Sequence, residues 1–343
     1  MDSPRWNWEY LFQRASEETV LPALSDAISE LGLPVPWDVS DFLSAVEVLS
    51  RERNRVIFEE LKTAAAFLNA VGIEPVLLKG TGYLAAGVYR NPAARYLMDI
   101  DLLIPEAQLS AAAETLMRNG FERDDTDRFG RFRHHHPPLR RPGSVSIELH
   151  HTLGLGRCVS VLPVREVLDR SVPHDLGGAN VRLPCPEHLM THLILHSRVV
   201  HPYNERIWPP LRAMYDLVLL QRQLGRSIDW TNIECCFRKG RQHGLLTLHL
   251  LHVCGTLGHK MPIPIRHTGL TRLRWLRRKL LRRWPTLRYF DPVYMFSAVF
   301  IRCFRVLRNM LSTPGGAGHL FELLFEPGVY GRIFTDLIEG RGR

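Results

Sequence analysis

Nine consecutive residues, Tyr96 to Ile104, are apolar except at Asp99 and Asp101. This run, closed by Pro105, reads as a strand that is apolar at nearly every position. Alternate residues of a strand share a face, so the two carboxylates point the same way. Uncompensated negative charges side by side in an apolar strand repel each other and resist burial. A cation between them removes both penalties, and hard oxygen donors with no thiolate nearby suit Mg²⁺ or Mn²⁺ rather than zinc. A second Asp-x-Asp, at Asp125 and Asp127, lies in the polar run Arg123 to Arg128 and reads as solvated turn chemistry.

The surrounding rhythm agrees with a sheet. Residues 1–39 form an irregular segment with four prolines and one short helix around 16–31, followed by a long amphipathic helix from Asp38 to Val71 that Gly72 ends. A buried strand over Pro75 to Lys79 leads through Gly80-Thr81-Gly82 into a small-residue helix, Tyr83 to Tyr89. A helix over Glu106 to Asn119 follows the acidic strand, and two further strands are expected over Arg128 to His136 and Val145 to Thr152. Beyond Pro186 the strand signals give way to helical ones: Glu187 to Val200, Ile207 to Leu224, Trp230 to Arg241 and Leu245 to Leu257. The expected fold is α+β: a small mixed sheet flanked by helices over 40–185, then an all-helical region over 186–343.

Two more features bear on chemistry. Glu148 and His150 share one face of the strand over 145–152, so a third carboxylate can stand near the first two. Three acids could hold two divalent ions that clamp a nucleoside triphosphate and activate an acceptor hydroxyl, with Glu148 as ligand and general base; a charge on an exposed strand face is the plainer alternative. Lys79-Gly80-Thr81-Gly82 opens a helix after a strand, where backbone N–H groups can hold phosphate oxygens. A dinucleotide-binding turn is a poor fit, because the next glycine, Gly87, comes two places too late for G-x-G-x-x-G.

Composition narrows the class. The 343 residues are 45% hydrophobic and 23% charged, an ordinary globular balance. The start lacks a long apolar stretch, the late run Tyr289 to Phe304 is too short and too charged to span a bilayer, and the six cysteines show no CxxC; a cytoplasmic protein with reduced thiols is expected. The net charge of +9 is localised: residues 266–308 carry twelve Lys or Arg against Asp291 alone, which leaves the rest of the chain at −2. Leu273, Leu276, Leu280, Trp284 and Leu287 recur there at helical spacing, with Arg274, Arg278 and Arg282 on a cationic face. Such a helix near 270–285 can meet a nucleic acid, an anionic membrane or an acidic substrate, or simply be solvated.

Taken in order, Leu78-Lys79-Gly80-Thr81, Tyr89-Arg90-Asn91-Pro92, Arg95, Asp99-Ile100-Asp101-Leu102-Leu103-Ile104 and Glu148-Leu149-His150 resemble the motifs of the uncharacterised nucleotidyltransferase family within the polymerase-β-like superfamily. His151 stands where that family usually has tryptophan, a departure that touches packing more than the carboxylate. Pro186 to His196, Leu211 to Leu217 and Ile228-Asp229-Trp230 extend the likeness, which covers roughly 40–260. The resemblance implies metal-dependent transfer of NMP from an NTP, ATP for example, to an acceptor such as a peptide, sugar or other natural-product intermediate, with release of pyrophosphate. It implies Gly80-Thr81 as the turn that holds the triphosphate, Asp99, Asp101 and Glu148 as the metal-binding catalytic acids, and Lys79 and Arg95 as phosphate contacts.

Other residues invite readings of their own. His134, His135, His136, His150 and His151 lack the acid or thiol spacing of a zinc site; His136 and His150 are expected either to line the cleft near Glu148 or to be structural. His196 and Asp216 are expected to pair as buried hydrogen-bonding groups. The alternative function is a non-catalytic protein of the same fold that binds RNA or anionic lipid through its basic C-terminal helix.

Overall fold

The computed structural model describes residues 6–123, 136–153, 159–197, 210–284 and 286–287. The turn at Asp125 and Asp127, His134, His135, most of the strand expected over Arg128 to His136, and all of 288–308 lie outside these residues. Met1–Trp275 forms one compact unit and Leu276–Arg343 another. One helix, Gly269–Arg283, runs across the boundary between them.

The first unit is built on a seven-stranded mixed sheet: β1 (Val76–Leu77), β2 (Ile100–Leu103), β3 (Glu122–Arg123), β4 (Leu139–Arg140), β5 (Ile147–His150), β6 (Val172–Asp175) and β7 (Asn180–Leu183), in the spatial order β3-β4-β5-β2-β1-β7-β6. β2 pairs with β5, and β1 with β7, in parallel; the other neighbours are antiparallel. All four residues of β2 are buried, as its apolar run requires of a central strand.

Strand alternation sorts the core into two layers. Ile100, Leu102, Ile147 and Leu149 pack with Ile57, Leu61 and Leu68 of α3 (Trp37–Asn69) and Leu116 of α5 (Leu109–Arg118). On the opposite face Val76, Leu78 and Leu103 join a cluster with α7 (Pro186–Leu195), α8 (Leu211–Leu224), α9 (Trp230–Lys239) and α10 (His243–Leu257), through Leu189, Ile194, Leu217, Phe237 and Leu250. Asp101 has the parity of Leu103, so it faces the helical layer.

The fold is the expected α+β class, with local differences. The N-terminal segment holds two helices, α1 (Trp8–Glu17) and α2 (Leu21–Glu30), where one was expected. The small-residue helix α4 (Lys79–Ala85) starts at Lys79, so the glycine turn belongs to it. A Cβ on Gly82 would stand 2.9 Å from the Leu77 carbonyl oxygen, so the helix lies against β1 only without one. β6 and β7, unread in the sequence, turn at Gly177 and Gly178, both at positive φ. The remaining described helices are α6 (Val164–Arg170) and α11 (Gly269–Arg283). Among the described residues no helix is long and apolar enough to cross a membrane.

Candidate functional site

β2 and β5 run in parallel with Asp101 opposite Glu148 on one rung of the ladder. His150, two residues on, projects from the same face of β5. Its Nε2 lies 2.7 Å from Asp101 Oδ1 and 3.4 Å from Glu148 Oε2. Ligand atoms of Asp101, Glu148 and His150 all fall within 4.8 Å of one another. Asp99, one residue before β2, is outside this group and lines the cleft in front of it.

The counter-charge inside the protein comes from Lys79. Its Nζ is 2.5 Å from Asp101 Oδ1 and 3.8 Å from Glu148 Oε2. Lys79 has a φ of +47°, in the left-handed region. That conformation costs an L-residue about 1–2 kcal/mol, so the backbone is strained at the residue that supplies the ammonium.

The group is strongly polarised. Burial opposes the charge on Lys79, but Asp101, Glu148 and Asp99 outweigh it and hold the amine above the usual lysine value. Burial likewise opposes ionisation of Asp101, yet Lys79 and His150 keep its carboxyl well below the usual range. His150, also disfavoured as a cation by burial, is raised by its bonds to Asp101 and Glu148. Asp99 is pushed up to about 6, first by burial and then by the neighbouring Asp101.

Lys79, Asp99 and Glu148 border a cavity of about 210 Å³ between the sheet and the helices. Lys79, Gly80, Arg95, Asp99 and Glu148 form one wall; His196, Ser197, Arg212 and Asp216 belong to the other. Arg95 is buried, its Nε 2.9 Å from Asp216 Oδ1 and its Nη1 donating to the Tyr96 carbonyl at 2.7 Å. Gly80 and Arg95 both line the cleft, and a Cβ on Gly80 would lie 3.7 Å from Arg95 Nη2. Tyr89 also donates to Asp216, so the partners of Asp216 are Arg95 and Tyr89 rather than the expected His196.

The other residues singled out in the sequence are placed differently. Thr81 is buried, its hydroxyl donating to the Leu78 carbonyl at 3.1 Å, and does not line the cleft. His150 stands behind Asp101, fully buried. His136 is half-buried, bonded through Nδ1 to the Pro137 carbonyl at 2.8 Å, and is not among the lining residues. Arg212 lies in the Leu211 to Leu217 run that extends the family likeness, but it was not read as a site residue. It is a cation in the first turn of a helix, where the macrodipole disfavours it.

The sheet thus brings Asp101, Glu148, His150 and Lys79 together beside a cleft that Asp99, Arg95 and Arg212 also line. The sequence profile of a family described as "uncharacterised nucleotidyltransferase" matches residues 4–253. The chain belongs to this family. Among solved structures it is similar to an antigenic nucleotidyltransferase-like protein from Paracoccidioides brasiliensis, with 16% identity, a TM-score of 0.35, and coverage of 58% of this chain and 93% of the other. No curated protein matches the chain.

Proposed function

We propose that the protein transfers a nucleoside monophosphate from an NTP to an acceptor hydroxyl or phosphate, as the nucleotidyltransferases of the polymerase-β-like superfamily do. The reading is carried by the Asp101–Glu148 rung, which sets two carboxylates and His150 at metal-ligating separation beside an open cleft. Oxygen donors held by strands, with Asp99 alongside, fit Mg²⁺ or Mn²⁺. Lys79 occupies the position of positive charge between the acids and would shift toward phosphate on loading. The bound cation would supply Lewis-acid charge to the phosphate oxygens.

The chain's own groups do the rest. The acceptor oxygen attacks the α-phosphorus; its O–P bond forms as the bond from that phosphorus to the bridging oxygen breaks, and pyrophosphate leaves with the electron pair. Glu148, one-fifth exposed at the cleft, takes the proton of the acceptor. Gly80, at the cleft wall beside Arg95 Nη2, is the backbone approach for the triphosphate, with Thr81 shaping the turn behind it.

The test is thermal-shift binding of ATP, GTP, CTP and UTP, with and without Mg²⁺, on the wild type and on Asp101→Asn. Metal-dependent stabilisation by a nucleotide, lost in the variant, is expected. Equal stabilisation of both proteins, or of neither, would overturn the reading.

A second reading is favoured by the surface of α11. Leu273, Leu276 and Leu280, with Trp284 just beyond, are all at least 40% exposed beside exposed Arg272, Arg274 and Lys279. Exposed leucines suit an anionic lipid surface better than RNA. Sedimentation with phosphatidylserine vesicles, diminished by Arg274→Gln/Arg278→Gln, tests it; identical sedimentation of variant and wild type removes it.

A further inference from the structure

We infer that Arg212 is a polyphosphate contact of the cleft, delivered by the helical layer to the two phosphates that leave as pyrophosphate. The inference rests on the nucleotidyl-transfer reading and adds a residue to it.

Arg212 sits in the first turn of α8 and lines the cleft across from Asp99 and Glu148. A half-buried guanidinium ordinarily finds a carboxylate, yet none of the described residues lies within ion-pair distance of this one. The contact of its Nη1 is the Met98 sulfur at 3.8 Å, a weak acceptor. Asp216 is near enough to be felt, but it is committed to Arg95 and Tyr89; Asp99, also within electrostatic range, makes no direct contact. Glu18, which faces the start of the same helix, is used by the Leu211 N–H at 3.1 Å.

Its surroundings make the charge costlier still. Burial and the neighbouring Arg95 guanidinium both work against the Arg212 cation. The N-terminal dipole end of α8 repels it as well. Three unfavourable effects on one permanently charged side chain are relieved together by an anion of more than one charge lying between Arg212 and Arg95. The cleft thus carries both signs: Asp99 and Glu148 suit a metal and an attacking oxygen, and Arg95 and Arg212, which feel each other's charge, suit phosphate. A triphosphate laid along it puts the α-phosphorus at the acids and the departing phosphates at the arginines, where guanidinium forks match phosphate oxygens.

The test is calorimetric titration of inorganic pyrophosphate, with Mg²⁺ present, into the wild type, Arg212→Gln, Arg212→Lys and Asp101→Asn. Arg212→Gln should weaken pyrophosphate at least tenfold, Arg212→Lys less, and the melting temperature of the unliganded protein should not fall in either variant. A purely structural role would lower that melting temperature and leave affinity alone. Unchanged affinity in Arg212→Gln, or no binding to the wild type, overturns the assignment. The two ideas separate cleanly: nucleotide binding that depends on Asp101 but not on Arg212 refutes this inference alone, whereas nucleotide binding indifferent to Asp101 refutes the parent reading.

Discussion

Asp216→Asn removes a charge that two buried groups depend on. Arg95 is 7% exposed and Asp216 2%, with 2.9 Å between Arg95 Nε and Asp216 Oδ1. At that separation and an effective dielectric constant of about 20, the Coulomb attraction is about 6 kcal/mol. Water entry and relaxation reduce the measurable loss to roughly 3–5 kcal/mol, the usual cost of stranding one member of a buried pair. Tyr89, which donates to the same carboxylate, adds about 1 kcal/mol if the amide turns its nitrogen toward it. Against a typical stability of about 5–15 kcal/mol this is a large fraction. Urea unfolding monitored by tryptophan fluorescence should show a lower midpoint at constant m-value. The variant Arg95→Met/Asp216→Leu/Tyr89→Phe, which deletes the whole polar group, should recover to within about 1–2 kcal/mol of wild type. A single variant that loses under about 1 kcal/mol, or a triple variant no better than the single, would refute the claim that charge pairing governs this joint.

Two further perturbations concern protonation and packing. His188 is buried, its Nδ1 has no hydrogen-bond partner, and burial, helped by Arg170, pushes its pKa down to about 4. The unfolded chain, with an ordinary imidazole near 6.5, therefore binds more protons between those values, so this contribution to stability is complete above pH 6.5 and lost as pH falls toward 4. His188→Leu should flatten that loss by about 2 kcal/mol in denaturation midpoints compared at pH 7 and pH 4.5, and parallel pH profiles would contradict it. Gly82→Ala drives a methyl to 2.9 Å from a backbone oxygen, whereas Gly87→Ala, at φ +69° with open space around it, meets conformational strain alone. Thermal unfolding should place Gly82→Ala about 1–2 kcal/mol below Gly87→Ala, and the reverse order would show that α4 can move off β1.

The parts of the fold that the sequence announced are those with strong local periodicity. β2 and β5 carry apolar alternation interrupted by acids, and the positions of Asp101 and Glu148 on neighbouring strands followed from it. α3 was equally plain, its long amphipathic pattern ending at Asn69 just before Gly72. The start of α4 was obscured because Gly80 and Gly82 are poor helix formers, chosen here for close approach to Leu97 and to β1. β6 is mostly exposed at the sheet edge, so its Val-Pro-His-Asp has no buried face to impose a period. The cation between the acids was legible as a need, but not as Lys79, and Arg95 finds Asp216 across 121 residues of chain. Contacts of that separation leave no trace in a local pattern.

The shared rung of Asp101 and Glu148 also acts as a proofreading device for folding. Were β5 to pair with β2 one residue out of step, every side chain of β5 would change face, and Glu148 would enter the apolar layer of Leu61 and Leu116. An unpaired carboxylate there costs several kcal/mol, comparable to the margin on which the whole fold stands. A mispaired chain is therefore rejected by its stability and does not persist as a folded form that lacks the paired carboxylates.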